Sequence, residues 1–207
     1  MTIKFGPAYR IETPRFIIRC WEPKDAHLLK KSIDESREHL KPWMPWVHGD
    51  PEEIEVYINR LRGYRGRFDQ DEEYVYGIFN KDEDKVLGGT GFHNRVGPNA
   101  TEIGYWIHGD HINQGYATEA VLTLTRIAFE VNKVIRVEIH CDPENHASAA
   151  IPKKLGYEFE AILKNRQPFL DRLTDSMIWT MFEDQYQESP ASKYELQAYN
   201  ILGEKII

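Results

Sequence analysis

The chain is poor in the residues that cross-link a fold, cross a membrane or neutralise a polyanion. Only two of its 207 residues are cysteine, Cys20 and Cys141. Two thiols cannot build a disulfide scaffold or a four-ligand zinc site, and they suit a reducing compartment. His93, His108 and His111 do not fall at metal-ligand spacing, so a solvated or capping role is their default and no metal is expected. No apolar run approaches the roughly 18 residues that span a bilayer, so no membrane partner is expected. Residues 1–10 lack the basic start and apolar stretch of a secretory signal, and the expected location is the cytoplasm. Positive charge is in deficit: 26 Lys and Arg face 33 Asp and Glu, a net charge of -7. A general nucleic-acid partner is therefore not expected, since phosphate neutralisation needs clustered Lys and Arg. A P-loop is missing, and Gly89-Thr90-Gly91 lacks the third glycine and following helix of a dinucleotide fingerprint.

What is present suits one packed domain with a short terminal extension: 41% hydrophobic and 29% charged residues, without repeats or low-complexity blocks. Residues 11–13 and 16–20 flank Pro14 and read as a broken opening strand. Residues 23–40 read as a helix with Leu28, Leu29 and Ile33 on one face. Pro42 and Pro45 make a loop of the stretch that carries Trp43 and Trp46. Asp50, with Pro51 and Glu53, reads as the capping box of a second helix ending near Asp69. Residues 73–79 and 85–92 read as a hairpin and residues 101–107 as a further strand. Residues 115–131 have a helical pattern, 134–140 alternate as a strand, and 145–155 form a short helix stopped by Gly156. Residues 157–163 and 175–182 look like the closing strands. A linker-like Ser189-Pro190-Ala191-Ser192 then leads to an apolar tail, helical or extended, that must pack on its own domain or on a second subunit. The order strand, glycine turn, helix, strand, helix, strand implies a mixed sheet with helices on both faces and a ligand near the strand ends.

The segment Asn113-Gln114-Gly115-Tyr116-Ala117-Thr118 joins a strand to a helix. Gly115 permits a tight turn and close approach of a ligand, and Ala117 does not block it. The first amides of the helix are unpaired and carry the positive end of its dipole. A pyrophosphate placed there accepts several backbone hydrogen bonds, and Thr118 adds a hydroxyl.

This loop, the upstream Glu102-Ile103-Gly104-Tyr105-Trp106-Ile107, and the downstream Asn145-His146-Ala147-Ser148 with Lys154-Leu155-Gly156-Tyr157 together resemble the GNAT superfamily of acyl-CoA N-acyltransferases. The opening Arg10-Ile11-Glu12-Thr13-Pro14-Arg15-Phe16 and the tryptophan loop from Leu40 to Trp46 look like the ribosomal-protein-alanine N-acetyltransferase (RimJ/RimL-type) group. The resemblance covers residues 9–183. It implies an α/β (in some schemes α+β) acyl-CoA N-acyltransferase fold with a mixed, mostly antiparallel sheet. Residues 1–187 would form the acetyltransferase domain and 188–207 an extension.

By that resemblance, acetyl-CoA is the cosubstrate. Tyr105, Trp106 and Ile107 would lie along its pantetheine arm, the amides of Gln114, Gly115, Tyr116, Ala117 and Thr118 would hold the pyrophosphate, and Asn145 would touch the arm. The superfamily often has Arg or Gln three residues before the glycine; Ile112 stands there in this chain, which removes one side-chain donor. Glu102 is the candidate base, acting directly or through water, and shares a strand face with Gly104 and Trp106 by period two. Ser148 is the candidate donor to the leaving thiolate. Cys141 is either a small buried hydrophobe or the site of a covalent acetyl step. Some relatives carry an acidic residue where Gln167 stands. Trp43 and Trp46 either wall an acceptor site or are structural aromatics.

Three functions remain open: acetylation of an α-amino group at a protein or peptide N-terminus, acetylation of a small amine such as an aminoacyl nucleotide or polyamine, and non-catalytic binding of acyl-CoA. A homodimer through the tail is a further expectation. Gly115→Glu places bulk and negative charge in the cradle and is expected to abolish CoA binding by calorimetry; unchanged affinity sinks the loop assignment.

Overall fold

A computed structural model describes residues 7–49 and 51–207. Among the described residues nine strands form one sheet: β1 (Arg10–Glu12), β2 (Ile17–Cys20), β3 (Tyr74–Phe79), β4 (Val86–His93), β5 (Ala100–Ile107), β6 (Arg136–Cys141), β7 (Glu158–Phe169), β8 (Arg172–Phe182) and β9 (Gln197–Tyr199). Their order is β7-β8-β6-β5-β4-β3-β2-β1-β9. Only β5 and β6 pair in parallel; every other neighbouring pair is antiparallel.

Two helices on one face, α1 (Ala26–Leu40) and α2 (Ile54–Asp69), bury Leu29, Ile33, Tyr57 and Leu61 against Trp21, Phe79 and Val86. On the other face, α3 (Tyr116–Glu130) buries Ala120, Val121, Leu124, Ile127 and Ala128 against Ile18, Tyr76, Ile78, Phe92 and Ile103. Period-two alternation in the strands supplies both cores. In β5 it sends Ile103, Tyr105 and Ile107 toward the α3 side, and Trp106 to the α1/α2 side. The shorter helices are α4 (His146–Leu155) and α5 (Glu183–Glu188). Among the described residues, no helix is long and apolar enough to cross a membrane.

Several elements differ from the sequence reading. The opening strand is not one broken strand but an antiparallel pair, with Arg10 opposite Arg19 and Glu12 opposite Ile17. Thr13 closes the turn, its hydroxyl oxygen accepting from the amides of Arg15 (3.3 Å) and Phe16 (3.1 Å). Asp50 lies outside the described residues; α2 begins at Ile54 with Glu53 as its N-cap residue and no side-chain cap bond. The closing strands are longer than expected and run through Pro168. Proline is tolerated there because β7 is the edge of the sheet, with a ladder on one side only. The tail, by contrast, takes one of the expected forms: it ends in an extended strand and packs on its own domain, with β9 paired to β1 and Ala191 and Ala198 buried.

Close packing of β4 on β5 fixes where the sheet's central strands lie. A Cβ on Gly88 would stand 2.2 Å from the Trp106 carbonyl oxygen, a backbone atom that cannot turn aside. Gly88→Ala is therefore expected to cost about 1–3 kcal/mol of stability in chemical denaturation; an unchanged midpoint contradicts the tight strand contact.

Candidate active site

The parallel ladder between β5 and β6 covers only Ala100, Thr101 and Glu102, opposite Arg136, Val137 and Glu138. Beyond Glu102 both strands continue, yet they no longer pair: β5 stays on β4 through Ile107, and β6 stays on β8 through Cys141. The sheet is thus split from within. The edge of β5 that faces β6 offers backbone N–H and C=O groups without a ladder partner, which is the requirement for adding an extended ligand as a strand. A cleft of about 1090 Å³ follows this split.

The cleft gathers nearly all of the residues singled out in the sequence. Tyr105, Trp106, Ile107, Gly115, Tyr116, Ala117, Thr118, Asn145, Ser148, Glu102, Trp43 and Trp46 line it. Gln114 is the exception. Its side-chain amide donates to the Asp110 carbonyl (2.9 Å) and holds the loop from within.

Gly115 sits immediately before α3 with φ +83°, and Asn113 has φ +58°. These two left-handed residues turn the chain so that the helix start faces the cleft. Arg15, from the β1–β2 turn, clasps this loop from outside. One guanidinium nitrogen donates to the Gln114 carbonyl (3.0 Å) and lies 3.3 Å from a Glu119 carboxylate oxygen, and the group stacks over the Tyr116 ring at 4.1 Å. Glu119 also accepts from the Tyr194 hydroxyl, tying the tail to the first turn of α3. Nothing local in the sequence marks Arg15 for this position; its partners are about a hundred residues away.

On the α3 side of β5, the Tyr105 and Ser148 hydroxyl oxygens are 2.9 Å apart, and the Tyr105 hydroxyl is also 3.3 Å from the Ser148 carbonyl. That carbonyl lacks its ordinary helical donor, because the residue four positions on is Pro152. Asn145 caps α4 by accepting from the Ser148 amide (3.0 Å). Cys141 sits beside Ser148, and burial pushes its thiol up to about 11 despite a hydrogen bond with Ser148. It is a protonated thiol near neutral pH, not a nucleophilic thiolate.

On the α1/α2 side, Glu102 is 3% exposed, and His93 stands directly opposite it on β4. Both Glu102 oxygens accept from Arg95, at 2.7 and 2.6 Å. His140 Nδ1 approaches the same carboxylate at 3.6 Å, while its Nε2 meets Glu138 at 2.7 Å. Burial alone raises the Glu102 pKa, but Arg95, His140 and His93 outweigh it and hold the carboxyl below its usual value. Glu102 is therefore ionised but clamped, and a weakened proton acceptor. The next residues on this face, Gly104 and Gly91, form a pair with no side chains of their own, a strip bare of β5 side chains between Glu102 and Trp106, and the His93 ring leans into the space above Gly104. Trp46 meets Trp106 edge-on at 6.2 Å over the end of that strip. Trp43 and Trp46 thus stand over the cleft and outside both cores.

The remaining histidines serve locally. His108 Nδ1 accepts from the Asp110 amide (3.1 Å), and its Nε2 is 3.1 Å from Glu35. Among the described residues, no group of three His, Cys, Asp or Glu is placed to hold a metal.

Because Glu102 titrates below its usual range when folded, its ion pair stabilises the fold above that range and is lost as pH falls through the folded value. Arg95→Gln should cost about 1–3 kcal/mol near pH 7, discounted for the exposure of Arg95. The cost should shrink toward pH 3 in denaturation curves, and a pH-independent cost contradicts the ion-pair assignment.

Known proteins carry the same architecture. The family model described as Acetyltransferase (GNAT) domain matches residues 15–158. The [ribosomal protein uS5]-alanine N-acetyltransferase of Escherichia coli K12 is 26% identical over 164 residues, 77% of this chain and 83% of its own. The crystallised Mycobacterium smegmatis RimJ in complex with CoA-disulfide superposes with a TM-score of 0.78 at 21% identity, covering 89% of this chain and 90% of that one. The microcin C7 self-immunity acetyltransferase MccE, in complex with acetyl-CoA and AMP, gives 0.75 at 18%, covering 82% and 93%. With the split sheet, the glycine-opened helix and the family match in hand, this chain belongs to the GNAT acetyltransferases and is an N-acetyltransferase by fold and kinship.

Proposed function

We propose that the protein transfers an acetyl group from acetyl-CoA to an α-amino group at a protein or peptide N-terminus, directly within a ternary complex. The observation that carries this reading is the β5–β6 split ending at a helix N-terminus opened by Gly115. The split accepts an extended pantetheine arm along Tyr105, Trp106 and Ile107. The backbone amides of Gln114 to Thr118 donate to the pyrophosphate, with the positive end of the α3 dipole behind them, and Asn145 lies beside the arm.

Two faces of β5 then divide the chemistry. The Tyr105–Ser148 hydroxyl pair lies on one side and supplies a proton to the departing thiolate, with Ser148 as the donor. The acceptor enters on the other side, over the bare glycine strip and under Trp43 and Trp46. Direct transfer is favoured over an acetyl-cysteine because burial keeps Cys141 protonated. An α-amine, with a pKa of roughly 7.7–8.0, needs less help to lose its proton than a lysine at roughly 10.4. Kinship with the uS5-alanine enzyme supports the same acceptor class.

A small amine is the second reading. The aromatic rings of Trp43 and Trp46 offer a surface for a nucleobase, and MccE is described with AMP. A panel of N-terminal peptides and small amines, assayed by thiol release from acetyl-CoA, separates the two. Fastest release with peptide α-amines is expected, and stabilisation by CoA without release on any acceptor overturns catalysis in favour of a binding module. Ser148→Ala should lower kcat by about 10²-fold with little change in CoA affinity; full activity removes the donor role.

A further inference from the structure

Resting on this reading, we infer that the proton acceptor for the incoming amine is His93, oriented by Glu73, and not Glu102. His93 ends β4 directly across from Glu102. Its ring leans over Gly104: a Cβ there would lie 2.8 Å from His93 Nε2. That nitrogen therefore sits above the bare strip of β5 where the acceptor enters. The other nitrogen, Nδ1, is 3.5 Å from a Glu73 carboxylate oxygen, and Glu73 is itself fixed by Arg67 at 2.8 Å. A carboxylate at Nδ1 holds the proton on that nitrogen and leaves the Nε2 lone pair free for the cleft.

The alternatives beside it are occupied. Both oxygens of Glu102 are taken by Arg95, and His140 has Glu138 on Nε2 and Glu102 facing Nδ1. One oxygen of Asp175, also in the cleft, accepts from the Asn165 amide, and its other oxygen makes Asp175 the competitor to test. His93 faces Glu73 from the start of β3, Arg95 from the β4–β5 loop and Glu102 from β5. Burial and Arg95 lower its pKa below the ordinary imidazole value, against the opposing pull of Glu102 and Glu73. The ring is thus neutral, and able to accept, at neutral pH.

The proton balance is complete without another reagent. Nε2 takes one proton from the ammonium and passes it to water. The freed nitrogen lone pair forms the C–N bond, and the C–S bond breaks with its electron pair going to sulfur. The second proton shed by the nitrogen balances the one that converts the CoA thiolate to thiol.

The test is steady-state kinetics of His93→Gln and His93→Ala at saturating acetyl-CoA, with CoA affinity measured separately. A fall in kcat of about 10²-fold is expected, with CoA affinity within threefold of the parent. The parent's acid limb of kcat, lying below the ordinary imidazole value, should vanish, and added imidazole should restore part of the His93→Ala rate. The loss should also shrink with an acceptor amine of low pKa that is already neutral at assay pH. Near-parental kcat in both variants, or an Asp175→Asn loss that carries the acid limb instead, overturns the assignment. Silence of the parent toward every amine is a failure of the acetyltransfer reading itself, and a different result from activity that ignores His93.

Discussion

The β5–β6 ladder stops at Glu102, and the rest of the site depends on that interruption. A fully zipped sheet would satisfy the backbone of β5 on both edges and leave no slot. A parallel pair is held by evenly spaced, slanted bonds and is slightly weaker per residue than an antiparallel one, so the one parallel junction is the natural place for the sheet to part. The neighbouring pairs hold each strand on its other edge: β5 remains on β4 and β6 on β8. The floor of the cleft is therefore built from strands, with the Trp43–Trp46 and Asn113–Gly115 loops at its rim.

Around the split, the fold sorts unlike chemistry to opposite sides of one strand. Residues of odd number in β5 face α3 and bring Tyr105 to Ser148; residues of even number face α1 and α2 and bring Glu102 beside Arg95, His93 and His140. In the proposed reaction, the donor to the leaving group and the acceptor for the incoming amine would thus be kept apart by the strand itself. The network that clamps Glu102 has a second effect. It keeps a carboxylate charged in a buried place, and that charge sets the field felt by the two histidines.

Much of this was legible in the sequence where the signal is local. The Gly115 loop, the Asn145 cap, the β3–β4 hairpin and the alternation of β5 each depend on residues within a few positions of one another. What escaped is non-local or depends on sheet position. The strand read over residues 157–163 extends to Phe169 through Pro168 at the sheet edge, and Thr13 builds a turn where Pro14 alone reads as a break. The Tyr105–Ser148 contact joins residues 43 apart, and the Arg15 clasp joins residues 99 apart. Pro152 carried a usable signal, since a proline inside a short helix frees the carbonyl four residues before it, here that of Ser148. Glu102 reads as a free strand carboxylate in the sequence, but both its oxygens are held by Arg95, which comes from a loop whose course the sequence does not define.

Amide hydrogen exchange on β5, with and without CoA, addresses the split most directly. Amides within residues 103–107 that point toward β6 should exchange readily in the free protein and become protected when CoA binds, alongside those of residues 115–118. Protection confined to the helix start, or no new protection along β5, would contradict the placement of the pantetheine arm as an added strand.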